Sequence, residues 1–273
     1  MDLSAIVEQT AKAAENNIPK EPCDFYGEDG LLRCGKCGTP KEHKPIVDIG
    51  LPKVRCLCEC EQKRREEERR KWARLNKIER LRREAFANPM MLECVFSADD
   101  GANPVLMTAA KNYAEKFQIF KEMKKGLLFY GSVGTGKSFA AACIVNYLIE
   151  NGTPARFTNF SEIEAERRED EDAIKDLGRF DLLVLDDFAA ERDTSYMKEI
   201  VFAVIDARIQ SGLPMIVTTN LTAEQLKKAS DPERDKIYSR LLGACEPIEV
   251  KGVDRRRGKL RKDHENIKEL LGI

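Results

Sequence analysis

A glycine-rich segment near the middle of the chain has the clearest chemical meaning. It runs Gly131-Ser-Val-Gly-Thr-Gly-Lys-Ser138 and matches the pattern G-x-x-x-x-G-K-[ST]. Glycines let backbone N–H groups converge on phosphate oxygens, and the start of a helix adds favourable partial charge. The lysine can reach β- and γ-phosphates, and the serine hydroxyl can ligate Mg²⁺. The residues expected to bind ATP here are Gly131, Ser132, Val133, Gly134, Thr135, Gly136, Lys137, Ser138 and Phe139.

Two acidic residues end a later apolar run, Leu182-Leu-Val-Leu-Asp186-Asp187. A buried strand that ends in acids beside a phosphate-binding loop is typical of a Mg²⁺ site. Asp186 would bind Mg²⁺ directly or through water, and Asp187 could polarise the attacking water. Asp187 is one methylene shorter than a glutamate, which limits its reach as a base. The alternative is that both acids only cap the following turn.

Three more side chains are candidates for contact with the γ-phosphate. Asn220 follows Thr218-Thr219, and its amide could hydrogen-bond the attacking water or the phosphate. Arg240 and Arg256 could supply positive charge, and an arginine that acts in this way raises the rate by ~10³–10⁵. A solvated surface position is the alternative for both arginines.

These residues need a scaffold, and the apolar pattern predicts one. Short apolar runs at 126–130, 155–158, 181–185, 214–219 and 247–250 predict strands that alternate with helices, which indicates an α/β domain with a parallel sheet. The clearest helix lies between the third and fourth strands, with Asp193 or Thr194 as its N-cap and Gly212 as its stop. Its predicted buried face consists of Met197, Ile200, Val201, Val204 and Ile205.

A second group of chemically active residues lies near the N-terminus, where residues 1–60 hold six of the nine cysteines. Cys34-Gly-Lys-Cys37 is typical of a zinc knuckle, and Cys56-Leu-Cys58-Glu-Cys60 follows at a suitable spacing. Alternate residues of an extended strand share a face, so each of the last three could contribute a thiolate. Four ligands are needed, and we favour Cys34, Cys37, Cys58 and Cys60 as the Zn²⁺ ligands.

Other interpretations of the cysteines remain open. A redox pair or unrelated thiols could produce the same pattern, but this region has few large apolar residues, and a bound metal would explain how it folds. Cys94, Cys143 and Cys245 lie in apolar contexts and are predicted to be core residues.

The overall composition limits the function classes. The chain has 273 residues, 34% of them charged, and a net charge of −1, so nucleic-acid binding would have to be local. The sequence predicts neither a signal peptide nor a membrane span. We expect a cytoplasmic location, in which the cysteines are reduced.

We predict a zinc-binding region at 1–60, a charged helical linker at 61–95 and an ATPase domain at 96–273. Basic residues between Lys251 and Lys262 could contact a phosphate backbone.

Several of these segments resemble one family. The run from Val184 to Met197, the run from Ile205 to Thr222, the phosphate-binding loop and Gly252-Val-Asp-Arg-Arg256 are similar to the DnaC-like (DnaC/DnaI/IstB) AAA+ helicase-loader ATPases. The likeness covers roughly residues 95 to 258. The cysteine-rich region followed by a charged helix resembles the zinc-containing loaders of Gram-positive bacteria and their phages.

The resemblance implies a P-loop NTPase of the AAA+ type, with a five-stranded parallel sheet, a central P-loop strand and oligomers that form around DNA. It implies that Arg240 acts on a neighbouring subunit and that Arg256 is a second sensor. Two residues depart from the family pattern: Ala189 stands where glycine is common, and Asp254 stands where serine is usual.

The function implied is ATP hydrolysis coupled to loading of a DnaB-type hexameric helicase onto single-stranded DNA, with self-association when ATP is bound. The zinc-bearing region would bind the helicase. Two alternatives are a transposase-helper ATPase that acts on duplex DNA and a nucleotide-gated recruitment scaffold with little hydrolysis.

Overall fold

The computed structural model describes residues 20–46, 53–191, 194–228, 232–255, 267–268 and 270–271. The chain divides into two compact units, residues 1–75 and 76–273. Asp193, Arg256 and the basic residues that follow Arg256 as far as Lys262 lie outside the described residues. Within the described part, no helix combines the length and the apolar character needed to cross a membrane.

The first unit contains two short hairpins. Strands β1 (Phe25–Tyr26) and β2 (Leu32–Arg33) pair in antiparallel fashion, as do β3 (Glu42–His43) and β4 (Val54–Arg55). Among the described residues of this unit, the buried apolar side chains are Leu32, Cys34 and Cys58. Small modules with few buried apolar side chains usually depend on a metal or a disulfide for their stability.

A long charged helix, α1 (Glu59–Ala85), follows the hairpins. Its exposed surface carries ion pairs one turn apart, including Arg64–Glu61 at 2.7 Å and Arg70–Glu66 at 2.6 Å. Such pairs each add only a few tenths of a kcal/mol, roughly 0.3–0.5, but several of them support a helix that has little apolar surface. The helix predicted from the charge run is therefore confirmed.

The second unit is built on one parallel sheet with the order β6-β7-β8-β5-β9. Its strands are β5 (Gly126–Tyr130), β6 (Ala155–Asn159), β7 (Leu182–Phe188), β8 (Met215–Thr219) and β9 (Cys245–Glu249). All five predicted strands are confirmed, with ends that shift by a few residues. The prediction of a central P-loop strand was wrong: β8 is the middle strand, because three strands lie on one side of β5 and only β9 lies on the other.

Helices cover both faces of the sheet, as expected for the AAA+ type of P-loop fold. One core packs helix α4 (Lys137–Glu150) and its neighbour α2 (Pro104–Glu115) against the sheet. The other core packs α5 (Phe160–Glu169), α7 (Ser195–Ser211) and α9 (Pro232–Ala244) against the opposite face. Residues 140–145 of α4 are all buried, which agrees with their continuous apolar sequence. The described part of this unit also contains α3 (Phe117–Glu122), α6 (Ala173–Asp176) and α8 (Ala223–Lys227).

Helix α7 shows how the sequence pattern sets local structure. Thr194 is its N-cap, and the Thr194 hydroxyl accepts a hydrogen bond of 3.2 Å from the Met197 amide. Gly212 ends the helix with φ of +66°, a conformation that glycine adopts at little cost. The five predicted apolar residues are all buried. The cysteine predictions also hold, since Cys143 and Cys245 are buried and Cys94 is half-buried against the core.

Candidate functional site

The phosphate-binding loop lies between the end of β5 and the start of α4. Gly131, Gly134 and Gly136 all have positive φ, between 76° and 131°. The Gly131 position is also crowded, because a Cβ there would lie 2.6 Å from the Val250 carbonyl oxygen. The loop and its surroundings enclose a cavity of about 310 Å³. The lining residues are Val133, Gly134, Thr135, Gly136, Lys137, Ser138, Phe139, Asp187, Asn220 and Arg255.

Lys137 is held by contacts on three sides of its ammonium group. Nζ donates hydrogen bonds to the carbonyl oxygens of Gly131 at 2.9 Å and Ser132 at 2.7 Å, and to Asn220 Oδ1 at 2.9 Å. Because β5 and β8 are neighbouring strands, Asn220, which follows β8, and Lys137, which follows the loop after β5, meet at the same edge of the sheet. The ammonium is thus fixed at the cavity by the loop and by the next strand.

Asp186 lies at the end of β7, beside the start of α4. Its Oδ1 accepts a hydrogen bond of 2.6 Å from the Thr218 hydroxyl, and Ser138 also hydrogen-bonds its side chain. Burial raises the pKa of Asp186 above its ordinary value, although these two hydrogen bonds oppose the rise. The structure therefore brings together the predicted Mg²⁺ pair, Ser138 and Asp186, as two hard oxygen donors, which suits Mg²⁺. Thr218 is a site residue that sequence reasoning missed; its place at the end of β8 was the available signal.

Asp187 is exposed and lines the cavity, but its backbone is unusual. Its φ is +51°, and its amide donates a hydrogen bond of 3.0 Å to Thr218 Oγ1. Aspartate and asparagine tolerate this left-handed region better than most side chains do, so the shorter acid suits this backbone. Ala189 also has a positive φ, +69°, a conformation that glycine adopts at less cost than alanine.

The arginines lie in different places. Arg240, on α9, pairs with Asp206 and stacks over the Phe202 ring at 4.7 Å, and it does not line the cavity. Arg256 lies outside the described residues. Arg255 lines the cavity and pairs with Asp100 at 3.2 Å, and sequence reasoning missed it as a site residue. Its position inside the basic run was the only signal.

The first unit brings four cysteines together. The Sγ atoms of Cys34, Cys37, Cys58 and Cys60 all lie within 4.8 Å of one another. Two of the separations are 3.6 Å (Cys34–Cys60) and 3.4 Å (Cys58–Cys60). Four thiolates bound to zinc at about 2.3 Å in a tetrahedron would be about 3.8 Å apart, so this donor set fits zinc. Cys56 lies outside the cluster, and its thiol contacts the Pro40 carbonyl at 3.5 Å.

The expected way in which these cysteines meet was wrong. Strand β4 ends at Arg55 and α1 begins at Glu59, so Cys60 lies in the first helical turn and not on an extended strand. The Gln62 amide already donates to the Cys58 carbonyl at 2.9 Å. A helical turn therefore brings Cys58 and Cys60 together, while Cys56 is left on the preceding segment.

Polar contacts around the cluster fix the first knuckle. Asp24 accepts a hydrogen bond of 3.2 Å from the Gly35 amide and forms a buried ion pair with Lys41 at 2.6 Å. The Thr39 hydroxyl contacts Cys37 Sγ at 3.0 Å and is the main cause that lowers the pKa of Cys37 to about 6. A thiol with so low a pKa is readily deprotonated for metal binding.

Comparisons with known proteins agree with this architecture. A replicative helicase loader, DnaI, from Bacillus subtilis is 24% identical over 206 residues, which cover 69% of this chain and 66% of that protein. The replicative helicase loader DnaC of Escherichia coli K12 is 28% identical over 130 residues, covering 45% of this chain and 52% of DnaC. The chain thus spans between half and two-thirds of the length of these curated relatives.

A solved structure gives a matching fold. The crystal structure of DnaI aligns with a TM-score of 0.50 and 23% identity, and the alignment covers 64% of this chain and 99% of that one.

The sequence also matches the sequence model of a protein family. That family is described as IstB-like ATP binding protein, and the match covers residues 54–263, which is most of the sequence. The chain therefore belongs to the IstB-like ATP binding protein family, which is homologous to the DnaC and DnaI helicase loaders.

Proposed function

We propose that this protein is an ATPase that loads a DnaB-type replicative helicase onto single-stranded DNA. One observation carries the proposal: Lys137, Asn220, Ser138 and Asp186 converge beside one glycine-lined cavity at the carboxyl ends of β5, β7 and β8. Carboxyl ends of parallel strands are where such sheets bind ligands. The curated relatives of the chain are named replicative helicase loaders, which supports the choice of partner.

ATP binding follows from the loop. Its backbone amides and Lys137 bind the phosphates, and Phe139 lines the same cavity. When ATP binds, the Lys137 ammonium gives up some of its hydrogen bonds to Asn220 and to the loop carbonyls and contacts phosphate oxygens instead. Ser138 and Asp186 would hold Mg²⁺, which would neutralise part of the negative charge of the phosphates.

Hydrolysis breaks the bond between the γ-phosphorus and the β–γ bridging oxygen. Asp187, exposed at the cavity, polarises the attacking water and accepts its proton. The Asn220 amide orients that water once Lys137 contacts phosphate. Arg240 of a neighbouring subunit supplies positive charge to the transition state, and Arg256 acts as a second sensor.

The first unit would bind the helicase. Zn²⁺ held by Cys34, Cys37, Cys58 and Cys60 would stabilise a unit in whose described part few apolar side chains are buried. ATP binding promotes self-association and contact with single-stranded DNA, and hydrolysis releases the complex.

Co-elution with the replicative helicase of the same organism tests this proposal. Wild type should elute with the helicase in the presence of ATP, and Lys137→Ala should lose the ATP dependence. Failure of the wild type to bind the helicase, with ATP or without it, would contradict the loader function.

The transposase-helper function is a second candidate, because the matching family model is described as IstB-like. It requires ATP-driven assembly of the chain along duplex DNA without any helicase. Sedimentation with linear duplex and with single-stranded DNA of equal length separates the two functions.

A further inference from the structure

Asp254 and Arg255 lie directly on the phosphate-binding loop. A Cβ added at Gly134 would lie 1.9 Å from Asp254 Oδ1 and 3.0 Å from Asp254 Cα, so this carboxylate occupies the space that a side chain would need. The Arg255 amide donates a hydrogen bond of 3.0 Å to the Gly134 carbonyl oxygen. An acidic side chain is therefore packed against the loop whose amides bind phosphate.

The same segment is fixed from its other side. The Asn103 side-chain amide donates to the Lys251 carbonyl at 3.0 Å, and Asp100 pairs with the Arg255 guanidinium at 3.2 Å. Arg255 also lies near Gly136, where an added Cβ would be 3.5 Å from Arg255 Cζ. An acid and a base at consecutive positions thus flank the loop, and Asp100 partly neutralises the base.

We infer that Asp254 is an affinity-determining residue that weakens the binding of nucleotide phosphates at this loop. The inference rests on the proposed nucleotide binding. Phosphates on the loop amides place several negative charges close to the Asp254 carboxylate, and glycine provides no side chain to separate them. Binding is reciprocal: if Asp254 opposes phosphate, phosphate weakens the Asp254 contact and favours release of residues 251–255 from the loop. The segment therefore responds to the number of phosphates in the site.

Nucleotide affinity of the full-length chain tests this inference. The variants are Asp254→Asn and Asp254→Ser, with Glu249→Gln as the matched control, because Glu249 pairs with Lys251 at 3.0 Å and lines a neighbouring cavity. Dissociation constants for ATP and ADP are measured by calorimetry at low and high salt, without and with Mg²⁺. Thermal unfolding of each variant confirms that it is folded.

The expected result is ATP binding that is roughly 3- to 30-fold tighter for both Asp254 variants at low salt without Mg²⁺. The gain should be smaller for ADP, should shrink in high salt or with Mg²⁺, and should be markedly less for Glu249→Gln. A gain equal for ATP and ADP and insensitive to salt, or no gain, would overturn the inference and leave nucleotide binding intact. No ATP binding by wild type or any variant would overturn the proposed function as well.

Discussion

At the scale of single residues, the environment of Asp186 disfavours the charged carboxylate that Mg²⁺ binding requires. Its carboxylate is held among Thr218, Ser138 and the end of a buried strand, and burial raises its pKa. For an acid with a raised pKa, the folded state favours the protonated form, so stability is lost as pH rises through that pKa. The charge that Mg²⁺ requires at neutral pH therefore costs folding free energy when no metal is bound.

Replacing this charge should stabilise the metal-free protein. Asp186→Asn is expected to raise stability by on the order of 1 kcal/mol, or about 2–4 °C in Tm, while abolishing Mg²⁺-dependent hydrolysis. Thermal unfolding in a chelator measures the effect, and the gap between variant and wild type should close in acid, where Asp186 is protonated.

Asp187→Asn is the matched control, because Asp187 is exposed and its left-handed backbone accepts asparagine. Its Tm should stay close to wild type although hydrolysis falls. A lower Tm for Asp186→Asn, or a gap that does not change with pH, would contradict the account of Asp186.

Single residues also show where prediction from the sequence ends. The positions of Lys137 and Ser138 follow from one local motif, and Asn220 contacts Lys137 because their neighbouring strands end at the same edge of the sheet. Thr218 and Arg255 were missed because their roles come from hydrogen bonds and ion pairs across 32 and 155 residues of chain, to Asp186 and Asp100. Local spacing carries no information about such contacts.

At the scale of elements, the cysteine cluster depends on where one helix begins. Because α1 starts at Glu59, Cys60 turns toward Cys58, and Cys56 is left on the preceding segment against Pro40. The choice of four ligands from the sequence agrees with the four sulfurs that the structure groups, although the extended strand assumed for them was wrong.

Metal content distinguishes the fifth cysteine from the ligands. Cys58→Ser is expected to lose stoichiometric zinc and to destabilise the first unit, because metal binding and folding are coupled there. Cys56→Ser, the matched control, should retain about one zinc per chain, as four thiolates complete a structural site. Elemental analysis of the purified full-length variants measures this. Zinc loss in Cys56→Ser, or full retention in Cys58→Ser, would show that the ligand set is wrong.

The five strands of the second unit and helix α7 were predicted because their apolar periodicity is strong. What periodicity could not show is Arg208, a charged residue of α7 that is buried and donates to the carbonyl oxygens of Pro214 at 2.7 Å, Phe180 at 2.8 Å and Asp181 at 2.9 Å. These hydrogen bonds of Arg208 connect α7 to the segments that precede β7 and β8. The sequence predicts the helix, whereas this junction depends on tertiary packing.

At the scale of the whole molecule, Arg240 bears on assembly. It does not line the nucleotide cavity of its own chain, and Asp206 and Phe202 hold it at the surface of α7 and α9. If it completes the site of a neighbouring subunit, Lys137→Ala and Arg240→Ala damage different halves of each shared site.

Mixing these two inactive variants should then restore hydrolysis. Each alone is expected to lose ~10³-fold or more in ATP turnover. The mixture pairs an intact loop on one chain with an intact Arg240 on the other, so its rate should far exceed the sum of the separate rates. A steady-state ATPase assay over a range of mixing ratios measures this, and strictly additive rates would show that Arg240 does not act between chains.

Retention of the replicative helicase on closed circular single-stranded DNA shows whether this protein loads it. The replicative helicase is incubated with closed circular single-stranded DNA, ATP and this protein, and the helicase that remains on the circle after isolation is quantified. Wild type is expected to increase the amount of bound helicase greatly, and Lys137→Ala is not. No increase with wild type, together with ATP-driven assembly of the chain on duplex DNA, would contradict the claim and favour the transposase-helper function.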